Sequence, residues 1–455
     1  MTERTTVEPA TAGPTAASRQ RCDACGTAYD ARDLRTACAC GGLLAVEHDA
    51  PAVRGAALRA RLDARLTPGA QGARRGAPAA AELSGVWRFR ELVMPDAPRE
   101  AIVSQPEGNT PLVERERVAR WAGVGGLLLK HEGHNPTGSF KDRGMTVALT
   151  QARRGGAAAV ACASTGNTSA SLAAYAALAG LPALVLVPAG GVALGKLAQS
   201  LAYGARTLLV RGDFDDCLRL AREGAERLGL YLANSVNPWR LEGQKTIVLE
   251  LLQQLGWQPP DWIVLPAGNL GNTAAFGAAL RAARAAGLID RVPRLAAVQA
   301  AGAAPFAASF RGGFAARRAV RAETVATAIR IGDPASHDRA VRAIRETEGV
   351  VLDVSDDEIL EAKAVVDASG VGCEPASAAS VAGARRLARE GTIRPDDQVV
   401  AVLTGHVLKD PGILLDYHTT AEPARPFANP PVEIDATLAA VEQVLAEAER
   451  AGGAG

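Results

Sequence analysis

From about residue 100 the chain alternates short, continuous apolar runs with longer segments of helical apolar spacing. GLLLKHEG (126–133), AAAVACAS (157–164), PALVLVPAG (182–190) and ARTLLVRG (205–212) predict strands, as do DWIVLPAG (261–268), RLAAVQA (294–300) and QVVAVLTG (398–405). Helices are predicted from residue 141, after the turn that opens STGNTSASLAAYAALAG (164–180), and over GKLAQSLAYG, DFDDCLRLAREGAERLG and NTAAFGAALRAARAAG. Strands that are apolar throughout are covered on both faces, so the pattern predicts an α/β fold built on parallel sheets. Ligands in such sheets sit beyond the carboxyl ends of the strands. The Gly/Asn turns at 164–169 and 267–272 both lie at such ends.

The first hundred residues are different. Residues 1–20 are small and polar and predict disorder. Residues 21–48 predict short strands and turns around Cys22, Cys25, Cys38 and Cys40, and residues 49–83 a helix and linker. Order resumes with the aromatics of SGVWRFRELVMP (84–95).

Composition narrows the class. The chain has 455 residues, 48% of them hydrophobic, and a net charge of +1. It is long enough for two cores, and it has neither the field of a nucleic-acid binder nor an apolar run long enough to cross a membrane. No signal-peptide pattern opens the sequence, so a cytoplasmic location is expected. Arg54, Arg59, Arg61, Arg65, Arg74 and Arg75 alternate with alanine and leucine, as on a solvated helix face. The cysteine spacing C-x2-C-x12-C-x-C suits a structural zinc held by four thiolates, with metal-free thiols as the alternative.

Four polar stretches are candidates for chemistry. In HEGHNPTGSFKDRGM (131–145), Lys141 opens a helix directly after a turn, where its charge opposes the macrodipole and its proton affinity falls. In AGNLGN (267–272), glycines and a helix start offer backbone N–H groups to a phosphate. In STGNTS (164–169), Ser164, Thr165, Asn167 and Thr168 crowd one turn, more than a simple cap needs. In NSVNPWRLEGQKT (234–246), Asn234, Ser235 and Arg240 suit a second phosphate. Each also has an ordinary reading, as a solvated lysine, a plain turn, a cap or a polar loop. GGVALGK (190–196) has the spacing of a nucleotide-binding loop, but Leu197 stands where Ser or Thr would bind magnesium.

NPTGSFKDRGM, STGNTS, NSVNPWRLEGQKT, the Gly/Asn loop and LTGHVLKDP together resemble threonine synthase, a pyridoxal-phosphate enzyme of the tryptophan-synthase-β-like fold. EGNTPL (107–112), ALGKLAQSLAYGA and PPVEIDATLAAVEQVL add to the resemblance. It implies that Lys141 carries the cofactor covalently and moves protons. Asn167 would bond the cofactor's phenolic oxygen, and Gly268, Asn269, Leu270, Gly271 and Asn272 would cradle its phosphate. Thr404 would meet the pyridine nitrogen. Ser164, Thr165, Thr168 and Asn167 would hold the substrate carboxylate, and Asn234, Ser235 and Arg240 its phosphate. The implied reaction takes O-phospho-L-homoserine and water to L-threonine and phosphate. A paralogue acting on another phosphorylated or phosphonate amino acid is the alternative, and a serine/threonine dehydratase would need no second phosphate site.

The expected layout is a four-cysteine, zinc-ribbon-like module at 21–48, a large domain from 84–150 and 229–425, an inserted small α/β domain at 151–228, and a C-terminal helix or tail at 426–455. The partners expected are a small phosphorylated amino acid and a second copy in a homodimer, with no nucleic acid and no membrane. His134 and Val407 depart from the family pattern beside cofactor-contacting segments; His134 reads as a tolerated loop histidine, with a pocket-lining position that alters substrate choice as the alternative, and it is the first place to look for altered specificity.

Overall fold

The computed structural model describes residues 18–66, 80–190, 194–420 and 425–452. The disorder expected over residues 1–17, part of the linker before residue 84 and part of GGVALGK lie outside the described residues. Residues up to Asp410 form one compact unit and those from Pro411 another. That division falls ahead of the boundary at 425 drawn from the sequence.

Three sheets organise the first unit. The N-terminal one has the order β2-β1-β3, with β1 at Ser18–Cys22, β2 at Ala28–Asp30 and β3 at Leu44–His48, all antiparallel. Residues 18–20 are therefore ordered, against expectation. Gln20 is fully buried and its Nε2 donates to the carbonyls of Asp30 and Asp33, which anchors β1.

The six-stranded sheet runs β12-β11-β10-β13-β5-β4. Its strands are β4 (Leu112–Glu114), β5 (Gly126–His131), β10 (Trp262–Pro266), β11 (Arg294–Ala300), β12 (Val350–Val354) and β13 (Gln398–Leu403). All neighbours pair in parallel except β4, an antiparallel edge strand. The sequence pattern predicts neither β4 nor β12: β4 has only three residues, and β12 (VVLDV) is part-buried and interrupted by Asp353. The four-stranded sheet runs β8-β7-β6-β9, wholly parallel, with β6 at Ala159–Ala163, β7 at Ala183–Pro188, β8 at Arg206–Val210 and β9 at Leu230–Leu232. Its last strand lies past the small-domain boundary expected at 228.

Helices complete the crossovers. Lys141–Arg154 follows β5, Asn167–Ala179 follows β6, and Gly271–Ala285 follows β10. NPWRLEGQKT is not a polar loop: it is helical from Pro238 to Gln254 and almost wholly buried. Pro238 suits the first helical position, and Asn237 Oδ1 accepts from the backbone of Trp239 and Arg240. The helix packs on Lys141–Arg154, where Gly243 is obligatory because a Cβ there would lie 1.7 Å from the Arg143 carbonyl oxygen.

The second unit contains the helices Pro411–Thr419 and Leu438–Gly452.

Candidate active site

One cavity of about 560 Å³ is lined by every residue assigned from the sequence to cofactor or substrate: Lys141, Ser164, Thr165, Asn167, Thr168, Asn234, Ser235, Arg240, the stretch Gly268–Asn272, and Thr404. Its volume suits a small organic ligand.

Lys141 is aimed by its flanks. Gly138 sits in the left-handed region (φ 86°) and turns the loop back. Thr137 donates through its backbone N–H and its hydroxyl to Asp142, at 2.7 and 2.6 Å, and Ser171 donates to the same carboxylate. Phe140 N donates to the Thr404 carbonyl at 3.0 Å and His406 N to that of Gly138 at 2.9 Å, which pairs the lysine loop with the segment after β13. Below it, Arg143 forks onto Glu132 at 2.6 and 2.8 Å, and Glu250 gathers Arg143, Lys130 and Arg88. Desolvation and the nearby Arg240 push the Lys141 amine down to about 7, with Glu374 opposing.

The Gly/Asn loop leaves β10 and enters its helix at Gly271. Gly268 allows close packing, since a Cβ would lie 2.9 Å from Ile329 Cα. Leu270 adopts the left-handed conformation (φ 62°) with its side chain buried. The Asn269 amide is held by Ser235 Oγ and Ala335 N, and Asn272 Oδ1 accepts from Gln244 at 2.5 Å. What this loop can offer a phosphate is therefore mainly its backbone N–H groups.

Asn167 opens the helix after β6, which has no side-chain cap. Ser164, Thr165, Asn167 and Thr168 are half-buried at its start. Asn234 behaves differently from expectation: its Oδ1 accepts from Ala163 N and its Nδ2 donates to Ala163 O, both at 3.0 Å, so the amide mainly splices β9 to the end of β6. Arg240 is 2% exposed. It donates once, from NH1 to the Ala233 carbonyl at 3.0 Å, and its Nε has no partner. Burial lowers its pKa to about 10. A guanidinium buried beside a cavity without a carboxylate is costly unless an anion completes it.

Sequence reasoning missed Glu374, Gln244 and Lys409, which line the same cavity. Glu374 immediately precedes Pro375, the first residue of a helix, and resembles an ordinary helix start. Its carboxylate accepts from Asn167 Nδ2 at 2.9 Å and from Thr404 Oγ1 at 3.2 Å, and burial raises its pKa. Gly405 makes room for it, because a Cβ there would lie 2.5 Å from that carboxylate. His134 is exposed and, like Val407, is not among the lining residues. His134 stacks edge-on against His131, and Val407 packs on Gly372.

Away from the cavity, the sulfurs of Cys22, Cys25, Cys38 and Cys40 lie within 4.8 Å of one another. Contacts of 3.5–3.6 Å are far beyond a disulfide bond and close to the roughly 3.8 Å edge of a zinc–thiolate tetrahedron. Gly42 is required there, since a Cβ would lie 2.7 Å from Cys22 Sγ.

One cleft thus brings together a buried lysine of lowered proton affinity, the Gly/Asn loop at a helix start, and a buried arginine with an unpartnered Nε. The family model described as pyridoxal-phosphate dependent enzyme matches residues 103–405. The threonine synthase of Methanocaldococcus jannaschii is 41% identical over 94% of this chain and 99% of its own length. That of Mycobacterium leprae is 48% identical over 74% of this chain and 89% of its own. The crystal structure of Escherichia coli threonine synthase superposes with a TM-score of 0.64 at 18% identity, covering 94% of this chain and 99% of that one. The chain belongs to the threonine synthase family of pyridoxal-phosphate-dependent enzymes.

Proposed function

We propose that the protein converts O-phospho-L-homoserine and water to L-threonine and phosphate by γ-elimination and β-hydration. The observation that carries this reading is Arg240, a buried cation with an unpartnered Nε lining the same cavity as Lys141. A dehydratase has no phosphate to put there.

The cavity fits pyridoxal phosphate. Lys141 has a displaceable proton near neutrality, Asn167 and Thr404 face one buried acid, and the helix start at Gly271 has backbone donors. When bound, the cofactor supplies an electron sink for charge developing on substrate carbons. The chain does the rest. Lys141 takes and returns protons along the substrate backbone. The helix start at Asn167, with Ser164, Thr165 and Thr168, holds the carboxylate. Arg240 and Ser235, with Asn234 shaping the floor, grip the phosphate as it gains charge on leaving. Arg240 is already desolvated, so this stabilisation needs little reorganisation.

We assign the four thiolates to a structural zinc. The protein is further read as a cytoplasmic homodimer; the three cysteines outside the cluster, Cys162, Cys217 and Cys373, are unbridged and fit a reducing compartment. No described helix is long and apolar enough to cross a membrane. The test is phosphate release from O-phosphohomoserine, O-phosphoserine and a phosphonate analogue, comparing wild type with Lys141→Ala. Release from phosphohomoserine that vanishes in the variant is expected; none from the cofactor-loaded wild type overturns the reading.

A further inference from the structure

Lys409 is one of only six lysines in the chain. Three others are in ion pairs: Lys130 with Glu250, Lys245 with Glu242 and Lys363 with Asp367. Lys409 is half-buried and lines the cavity with Lys141 and Arg240. Its Nζ donates to Gln199 Oε1 at 2.5 Å, a neutral acceptor. Among the described residues, no carboxylate lies within ion-pair distance of it. An ammonium has three donors, and an amide oxygen neutralises none of its charge.

The surroundings are built to keep this side chain in place. Gln199 lies on the helix Leu194–Ala202, and its Nε2 donates to the Thr137 carbonyl at 3.2 Å, so the lysine loop and the small domain meet on it. Gly138, inside that same loop, leaves room for the lysine stem: a Cβ there would lie 2.9 Å from Lys409 Cε. Thus NPTGSFK both aims Lys141 and shapes the seat of Lys409. Asp142 and Glu374 draw on Lys409 only from a distance, and both carboxylates are already engaged, by Thr137 and Ser171 and by Asn167 and Thr404.

We propose that Lys409 is a second cation of the substrate-phosphate subsite, acting with Arg240. The proposal rests on the reading of the cleft given above. A phosphate monoester near neutral pH carries close to two negative charges, and Arg240 alone supplies one positive charge to meet them. Lys409 supplies the other and favours a phosphorylated side chain over an uncharged one.

The experiment measures inorganic phosphate binding to the cofactor-loaded enzyme, where the cofactor already fills its own phosphate cradle. Lys409→Met and Lys409→Gln are compared with Lys409→Arg and wild type, after melting curves and cofactor absorbance show each to be folded and loaded. Loss of a charge-assisted hydrogen bond predicts phosphate affinity weaker by about 10- to 100-fold in the Met and Gln variants. The kcat/KM for O-phosphohomoserine should fall by at least the same factor, and Lys409→Arg should recover most of the affinity. Unchanged phosphate affinity in the loaded Met and Gln variants overturns the proposal. Wild type that binds phosphate but releases none from phosphohomoserine sinks the functional reading instead, and leaves the binding arm to decide on Lys409.

Discussion

Glu374 accepts a 2.9 Å hydrogen bond from Asn167, and its other oxygen accepts from Thr404. A single buried acid therefore links the residues that the resemblance assigns to the cofactor's phenolic oxygen and its pyridine nitrogen. It also acts on Lys141, favouring the charged amine, whereas Arg240 disfavours it. Only the neutral amine attacks a carbonyl, so the rate at which apoenzyme takes up pyridoxal phosphate should rise with pH through an inflection near 7. Removing the negative charge in Glu374→Gln should move that inflection to lower pH. Removing the positive charge in Arg240→Met should move it to higher pH. Stopped-flow absorbance across pH 5.5–9 (about that range brackets the value) gives both; shifts of the same sign would refute this electrostatic account.

The pairing of Glu374 with Asn167 also marks where sequence stops being informative. The βα turns carry their chemistry locally: glycines, hydroxyls and a helix start adjoin in sequence, so Lys141, the Gly/Asn loop and the STGNTS turn are visible in one dimension. Glu374 meets Asn167 across 207 positions, and nothing in CEPAS distinguishes a cavity acid from a helix start. Asn234 shows the converse. Its neighbourhood points to ligand binding, yet its amide bonds the backbone of a strand 71 positions away. Strands β4 and β9 have three residues each and β12 is broken by Asp353, so they lack the continuous apolar run that marks the strands read from the sequence.

Glu250 is fully buried and bonds Lys130, Arg88 and Arg143, as well as the backbone of Asn109 and Thr110. Arg143 in turn clamps Glu132 at the far end of the lysine loop. Glu250→Gln would leave three cations short of their counter-charge, a change expected to cost about 3–5 kcal/mol. The acid's pKa is held well below the usual range by those cations. Its stabilising contribution is thus complete above the unfolded-state pKa of about 4.3 and fades as pH falls towards the native value. Urea unfolding should show wild type and variant far apart at pH 7 and converging as the pH drops below about 4. A constant gap would mean that the loss is one of packing rather than charge.

His134 interrupts the family pattern, yet its ring lies outside the cavity, edge-on to buried His131 at 4.5 Å between centroids. His131 in turn meets the Gly372 carbonyl at 2.8 Å, two residues before Glu374, which lines the cavity. His134→Ala should therefore lose only the ring contact, about 0.5–1.5 kcal/mol of stability. The ratio of kcat/KM for phosphohomoserine over phosphoserine should stay within about twofold, equivalent to less than ~0.5 kcal/mol. A larger change in that ratio would return His134 to the list of specificity residues.

The four-cysteine module is fastened to the helix that carries Arg240. His48, the last residue of β3, meets Glu242 at 2.7 Å, and Ser18 joins His48 to Asp96. On the other side Gln151 donates to the Ala31 carbonyl at 2.6 Å, and Leu34 packs so closely on Gly155 that a Cβ there would lie 2.4 Å from it. The module's own apolar core is small, with Cys22, Cys38 and Leu44 at its centre, and a metal on the four sulfurs is expected to hold the turns together. Purified protein should carry one zinc per chain by elemental analysis. Cys22→Ser and Cys38→Ser should lose it and become sensitive to proteolysis between residues 18 and 48. The cofactor cavity is lined by none of these residues, so the cleaved protein should still take up pyridoxal phosphate. Metal-free wild type that resists protease as well as the metal-loaded form would show that the thiols pack without zinc.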